Sequence, residues 1–191
     1  MNLRIQSAKL LAALVASLTC ISVPAQTFAA DSAPGMAASA ATAKLDALKW
    51  LVGGTWRCDG TSLPGKLDRI ETRYELAPNG RLIRFTTAFV MQDGSVPNGY
   101  AGNFYVDPAT RGLRGWYLDT NNEETQGAVA GDAEHWAMTF NNDGAIVGRP
   151  GMMEFKADVT RTSADSYDWK LLAHVGDAWK PVFALTYRRT T

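Results

Sequence analysis

Leu51-Val52-Gly53-Gly54-Thr55-Trp56 near the start of the patterned region, and Leu185-Thr186-Tyr187-Arg188-Arg189 at its end, decide the reading of the fold. A Gly-x-Trp ahead of a long run of strand-like segments, with arginines on the last of them, predicts a closed antiparallel barrel whose first and last strands meet. Cys58 shares the Trp56 face by strand alternation and is expected to be buried with it.

Between these two stretches the pattern is β throughout. Arg69 to Leu76 and Arg81 to Met91 flank Pro78-Asn79-Gly80 as a tight hairpin, and Asp93-Gly94 ends the second segment. Tyr100 to Val106 stops at Asp107-Pro108, and Leu113 to Asp119 at Asn121-Asn122. A weaker segment spans Thr125 to Ala130, and His135 to Phe140 is closed by Asn141-Asn142-Asp143-Gly144. Met152 to Thr160, Tyr167 to Val175 and Trp179 to Arg188 complete the run. Alternation places Tyr167, Trp169, Leu171, Ala173 and Val175 on one face, and Trp179, Pro181, Phe183, Leu185 and Tyr187 on another. About ten short strands joined by short turns predict an all-β fold, an up-and-down antiparallel barrel in preference to a two-sheet sandwich.

Upstream, Leu45, Leu48 and Leu51 recur at helical spacing and Gly53-Gly54 ends the run, so one short N-terminal helix is expected. It either caps an end of the barrel or packs outside the sheet. Residues 30–43 are small and irregular and read as a linker. Residues 1–29 read as a secretory signal: Arg4 and Lys9 precede an apolar run from Leu10 to Val23, and Thr27-Phe28-Ala29 offers small residues at the cleavage positions. Val23-Pro24-Ala25 is the second choice. The apolar run is shorter than the roughly 20 residues a spanning helix needs, so no transmembrane segment is expected after cleavage.

Removing the signal leaves 191 − 29 = 162 residues, enough for one well-packed domain over 44–191. Lysine plus arginine falls from 19 to 17 while the 19 acids remain, giving a net charge near −2 and no basic patch for nucleic acid. Cys58 is the one cysteine left, so no internal disulfide is expected even in a secreted or periplasmic setting.

Three motifs in order, Leu51-Val52-Gly53-Gly54-Thr55-Trp56, then Tyr105-Val106-Asp107-Pro108 followed by Gly115-Trp116-Tyr117-Leu118-Asp119, and finally Leu185-Thr186-Tyr187-Arg188-Arg189, resemble the bacterial family called domain of unknown function 1579. The resemblance spans roughly Leu45 to Arg189. It implies a calycin-like (lipocalin-like) barrel in which Trp56 packs against Arg188 or Arg189 at the closure, a cation over an indole face, and it implies no activity.

Catalytic patterns are not apparent. No Gly-x-Ser-x-Gly elbow, phosphate-cradling glycine loop or dinucleotide fingerprint occurs, and no catalytic residue is nominated. His135 and His174, the two histidines, lack metal-ligand spacing to another histidine, cysteine or acid cluster, and no metal site is expected. Barrels of this size include haem binders that use one late histidine. His174 alternates with Trp169 and Leu171, however, so if those residues face inward it faces outward, and haem is expected through neither His174 nor His135. Glu123-Glu124 reads as a solvated turn.

The strands carry many large aromatics. Phe85, Trp116, Trp136 and Trp169 with Arg84, Asn103 and Tyr105 are the candidate lining of an interior pocket for a small apolar or amphipathic ligand. Two registers are open. If Phe85 and Phe89 face in, Arg84 faces out and the polar anchor is Asn103 or Tyr105; if Arg84 faces in, the ligand carries an acid that compensates the buried guanidinium. A ligand-binding barrel is the expected function. The alternatives are an isomerase- or cyclase-like enzyme using the same cavity, or a filled barrel that serves as an interaction module.

Overall fold

A computed structural model describes residues 44–63 and 65–190, without the side chains of residues 145 and 146. The signal and linker expectations lie outside the described residues. Ten strands follow one another: β1 (Thr55–Asp59), β2 (Leu67–Leu76), β3 (Leu82–Met91), β4 (Asn98–Val106), β5 (Leu113–Asp119), β6 (Glu124–Gly131), β7 (His135–Asp143), β8 (Met152–Ser163), β9 (Ser166–Val175) and β10 (Ala178–Thr190). Each pairs antiparallel with its sequence neighbour, and β1 also pairs with β10, so the sheet closes into an up-and-down barrel with no free edge. Closure passes through Trp56, which pairs with Thr72 on β2 and Arg189 on β10.

The strands form because inward apolar residues alternate with outward polar ones between residues that turn the chain. On β7 the buried positions are Trp136, Met138, Phe140 and Asn142, separated by exposed or half-exposed neighbours. The turns are built locally: Asp93 Oδ1 accepts from the Ser95 amide at 2.9 Å, and Asp107 Oδ1 from the Ala109 amide at 2.8 Å. Gly176 supplies the positive φ of 64° that the β9–β10 turn requires.

A bulge between Pro181 and Phe183 corrects the expected face of β10. Leu185, Tyr187 and Phe183 face inward with the aromatic side of β9. Ahead of the bulge, Trp179 pairs with His174 and Pro181 with Leu172 on the outer face. One extra residue reverses the side-chain parity of everything beyond it, and a proline, which cannot donate to the ladder, sits at the break.

The chain ahead of β1 plugs one end. Residues 44–46 are helical, Lys49–Leu51 form a 3-10 turn, and Leu45, Leu48 and Leu51 are buried in the core. Capping, rather than packing outside the sheet, is the observed arrangement.

Cys58 lies under this closure, buried, with burial pushing its thiol up and a Tyr187 hydrogen bond partly opposing the shift. A thiol reagent applied to the native Cys20→Ser chain is expected to label Cys58 at the slow rate of barrel opening. Labelling at the rate of a free thiol would contradict the inward register of β1.

Candidate functional site

The two ends of the barrel differ in packing. At the plugged end Trp56 is 0% exposed and Tyr167 2%. Trp56 donates its indole N–H to the Leu51 carbonyl at 2.7 Å and its ring lies 4.9 Å from that of Tyr167, which stacks on Tyr187 at 4.8 Å. Arg189 places its guanidinium 4.5 Å from the Trp56 ring centre and donates to the carbonyls of Val52 and Trp50. Arg188 faces outward, across from Arg57. Tyr74, whose hydroxyl is 3.5 Å from that of Tyr167, is pushed up to about 12 by burial. This end is solid.

The other end, where β3, β5, β7 and β9 finish, is different. Inward-facing residues there and in the barrel's middle keep surface that water can reach: Tyr100, Tyr117, Met153, Trp169, Val175 and Phe183 are all only partly buried. Inward position follows from register, since Tyr100 pairs with Thr87 and Asp119, and Trp169 with Val159 and Leu185. Tyr100 and Tyr117 meet at 5.1 Å near the opening, and Trp169 and Phe183 at 5.5 Å deeper, in the barrel's middle, so aromatic rings line the interior from the mouth inward. Gly102, between Phe85 and Tyr117 in the ladder, makes room for them: a Cβ there would lie 2.7 Å from the Phe85 ring tip and 2.2 Å from the Trp116 carbonyl. A hollow of about 360 Å³ lined by Lys66, Met91, Gln92 and Asp93 lies on the same rim.

Polar groups face this opening. Burial pushes the Tyr100 and Tyr117 phenols up, with the Asp119 carboxylate adding to the shift on both, so they stay neutral hydroxyls at ordinary pH. Thr125, opposite Tyr117 and 2% exposed, has a hydroxyl with no hydrogen-bond partner of normal geometry, although the Tyr117 phenol approaches it. Asp119 and Glu123 continue the inward rows of Tyr117 and Thr125, joined by the Asp119 N–H to Glu123 carbonyl bond at 3.1 Å. Asp119 Oδ1 is occupied by the amides of Asn121 and Glu123. Glu123 Oε2 is shut off from water and unpartnered, and its carboxyl is raised by desolvation first and by Asp119 and Asp143 after it. The expectation of a solvated acid pair therefore holds for exposed Glu124 and is corrected for Glu123.

The sequence candidates divide by face. Phe85, Trp136 and Trp169 point inward. Arg84, Asn103, Tyr105 and Trp116 point outward, and they line no interior: Arg84 pairs with Asn103 and Asn103 with Trp116, so one outer row carries all three, with Tyr105 two residues along. The register with Phe85 inward is the observed one, and Asn103 or Tyr105 as its polar anchor is thereby corrected. Trp136 contributes an inward, unpartnered indole N–H. His135 and His174 both stand on the outer face, His135 2.8 Å from Asp158 and His174 3.4 Å from Glu154. Among the described residues, no group of three or more metal-binding side chains converges. Tyr100, Tyr117, Thr125 and Phe183 were not singled out by pattern, though Tyr100 and Tyr117 share their strand face with Phe104 and Leu113, the signal that could have found them.

Fold and site together define a ten-stranded closed β-barrel with one plugged end and one aromatic, acid-rimmed open end. No family model matches the chain, and no curated protein matches it. Among solved structures it is similar to the crystal structure of Rv2717c from M. tuberculosis, at 14% identity over 77% of this chain and 97% of that one, with a TM-score of 0.48. It is also similar to the structure of EF1p2_mFAP2b bound to DFHBI, at 10% identity over 75% of this chain and 97% of that one, with a TM-score of 0.28.

Proposed function

We propose that the protein binds a small amphipathic molecule through the open end of its barrel. The supporting observation is the accessible surface of Tyr100, Tyr117, Trp169 and Phe183, which point into a closed barrel yet are only partly buried. A packed core would bury such rings, as it does around Trp56. Apolar walls with a few fixed polar groups, here two phenols, a threonine hydroxyl and a carboxyl, are the usual make-up of a ligand site. The same reading treats the chain as exported, supported by the pattern of residues 1–29, and as a relative of domain of unknown function 1579, supported by its three motifs.

The site is tested with 1-decanol, a neutral amphipath, and two tryptophan variants. Trp169→Ala is expected to weaken binding about tenfold, roughly 1.4 kcal/mol, while Trp116→Ala on the outer face leaves it within about twofold. Equal losses in both variants, or no binding by the wild type, would overturn the proposal.

A further inference from the structure

The hydroxyl and N–H groups inside the barrel, set one against another, leave two reachable donors unpaired. Thr72 and Thr87 bond each other at 2.9 Å, and the Tyr74 hydroxyl lies 3.5 Å from that of Tyr167. Tyr187 is engaged with the Cys58 thiol, and the Tyr117 phenol with the Thr125 hydroxyl. Among the described residues, the Tyr100 hydroxyl and the Trp169 indole N–H have no hydrogen-bond partner. Both side chains stand on inward rows and keep surface that water can reach, unlike Trp136, whose orphan N–H is closed off. Inward polar groups without a partner are uncommon, and an indole N–H can only donate.

Tyr100 lies beside Thr87 and Asp119 in the ladder, its ring 5.2 Å from that of Phe89 and 5.1 Å from that of Tyr117. Its phenol contributes to the rise of the Tyr187 phenol, so the two share one interior. Burial keeps the Tyr100 phenol protonated at ordinary pH, and what it offers a ligand is a neutral O–H. The charged groups at this end are occupied or out of the way. Asp119 Oδ1 accepts from the amides of Asn121 and Glu123, and its Oδ2 from the Asn121 side chain at 3.1 Å. Lys180 is on the inward row through its pairing with Ala173, yet it is exposed at the mouth, and β10 is four strands round the wall from β4. An ion drawn down to Tyr100 would give up its water with no free counter-charge beside it, which costs far more than moving a neutral carbonyl.

We infer that the barrel interior takes an uncharged molecule with a carbonyl on an apolar body, a ketone, ester or amide, and that the Tyr100 hydroxyl donates to that carbonyl. The body lies against Phe85 and Phe183, and the Trp169 N–H is a second donor deeper in the same interior for a ligand that carries a second acceptor. This deepens the binding role proposed above and rests on it. The carbonyl supplies the acceptor that the interior lacks. An alcohol oxygen is received in the same way, while a hydrocarbon satisfies neither donor.

The test measures 2-decanone, decanoate and decyltrimethylammonium by titration calorimetry on the full chain at neutral pH, with 1-decanol as the reference for binding. 2-Decanone is expected to bind roughly tenfold more tightly than either ion. Tyr100→Phe is expected to weaken 2-decanone about fivefold, the loss of one neutral hydrogen bond, while Tyr105→Phe on the outer wall stays within about twofold. The carbonyl stretch of bound 2-decanone is expected at lower frequency in the wild type than in Tyr100→Phe, the signature of a donated hydrogen bond. Because the hydroxyl has no partner within the protein, Tyr100→Phe is expected to leave the melting temperature of the ligand-free chain unchanged or raised, which also shows that the variant is folded. Unchanged affinity in Tyr100→Phe, an unmoved carbonyl stretch, or equal or tighter binding of either ion overturns the inference. If 1-decanol binds and 2-decanone shows none of these effects, the inference falls and the binding role stands; if neither binds, both fall.

Discussion

Trp56→Ala is expected to cost about 3–5 kcal/mol of folding stability, the range for deleting a fully buried aromatic. The melting temperature should fall by roughly ten degrees or more for a domain of this size. The cost concentrates here because Trp56 joins the barrel to its plug. Its ring meets Trp50 at 5.7 Å and Tyr167 at 4.9 Å, and its N–H satisfies the Leu51 carbonyl at 2.7 Å. Its loss opens a cavity under Arg189 and leaves that carbonyl unpaired. Trp116→Ala, removing a ring of the same size from the outer wall, is expected to cost under about 1 kcal/mol. Chemical denaturation of the two variants checks this, and similar losses would contradict the inward register of β1.

Arg189→Ala is expected to cost about 2 kcal/mol, and Arg189→Lys to recover less than half of it. The guanidinium donates to two carbonyls of the plug while its plane covers the Trp56 ring. Hydrogen bonds from charged donors are stronger than neutral ones, and truncation also strips the packing of the arginine stem. A lysine ammonium is a compact point charge that cannot span both carbonyls while stacking on an indole. The Asp165 carboxylate, 3.4 Å from Arg189 Nε and largely exposed, adds little. Arg188→Ala, on the outer face, is expected to change stability by no more than about 0.5 kcal/mol. Equal losses at Arg188 and Arg189 would contradict the closure described here.

The strands and the closure were legible in the chain because they depend on local chemistry. Alternating residues between Asn, Asp, Gly and Pro turns mark strands without knowledge of their partners, and a Gly-x-Trp with a terminal arginine pair marks where the sheet meets itself. The lining was less legible because each strand has two faces. In Arg84-Phe85-Thr86-Thr87-Ala88-Phe89 both faces carry small or apolar residues, so hydrophobicity alone left the inward face of β3 open. The outward placement of Arg84, Asn103 and Trp116 is then one event, since ladder pairing fixes all three together. The bulge after Pro181 reversed Trp179 for a similar reason, by inserting one residue into an otherwise regular alternation. Glu123 was out of reach of pattern reasoning. One of its carboxyl oxygens is shielded at the β5–β6 turn, where Asp119 holds the Asn121 and Glu123 amides.

The claim at the centre of this account is that the accessible interior at the open end is the binding surface. Its most direct measurement is solution NMR of the indole N–H resonances during a titration with 1-decanol, because the tryptophans sample the plugged end, the interior and the outer wall separately. Trp169 is expected to shift progressively to saturation, while Trp56 in the plug and Trp116 and Trp179 outside stay in place. Shifts confined to Trp116 or Trp179, with Trp169 unmoved, would contradict the account.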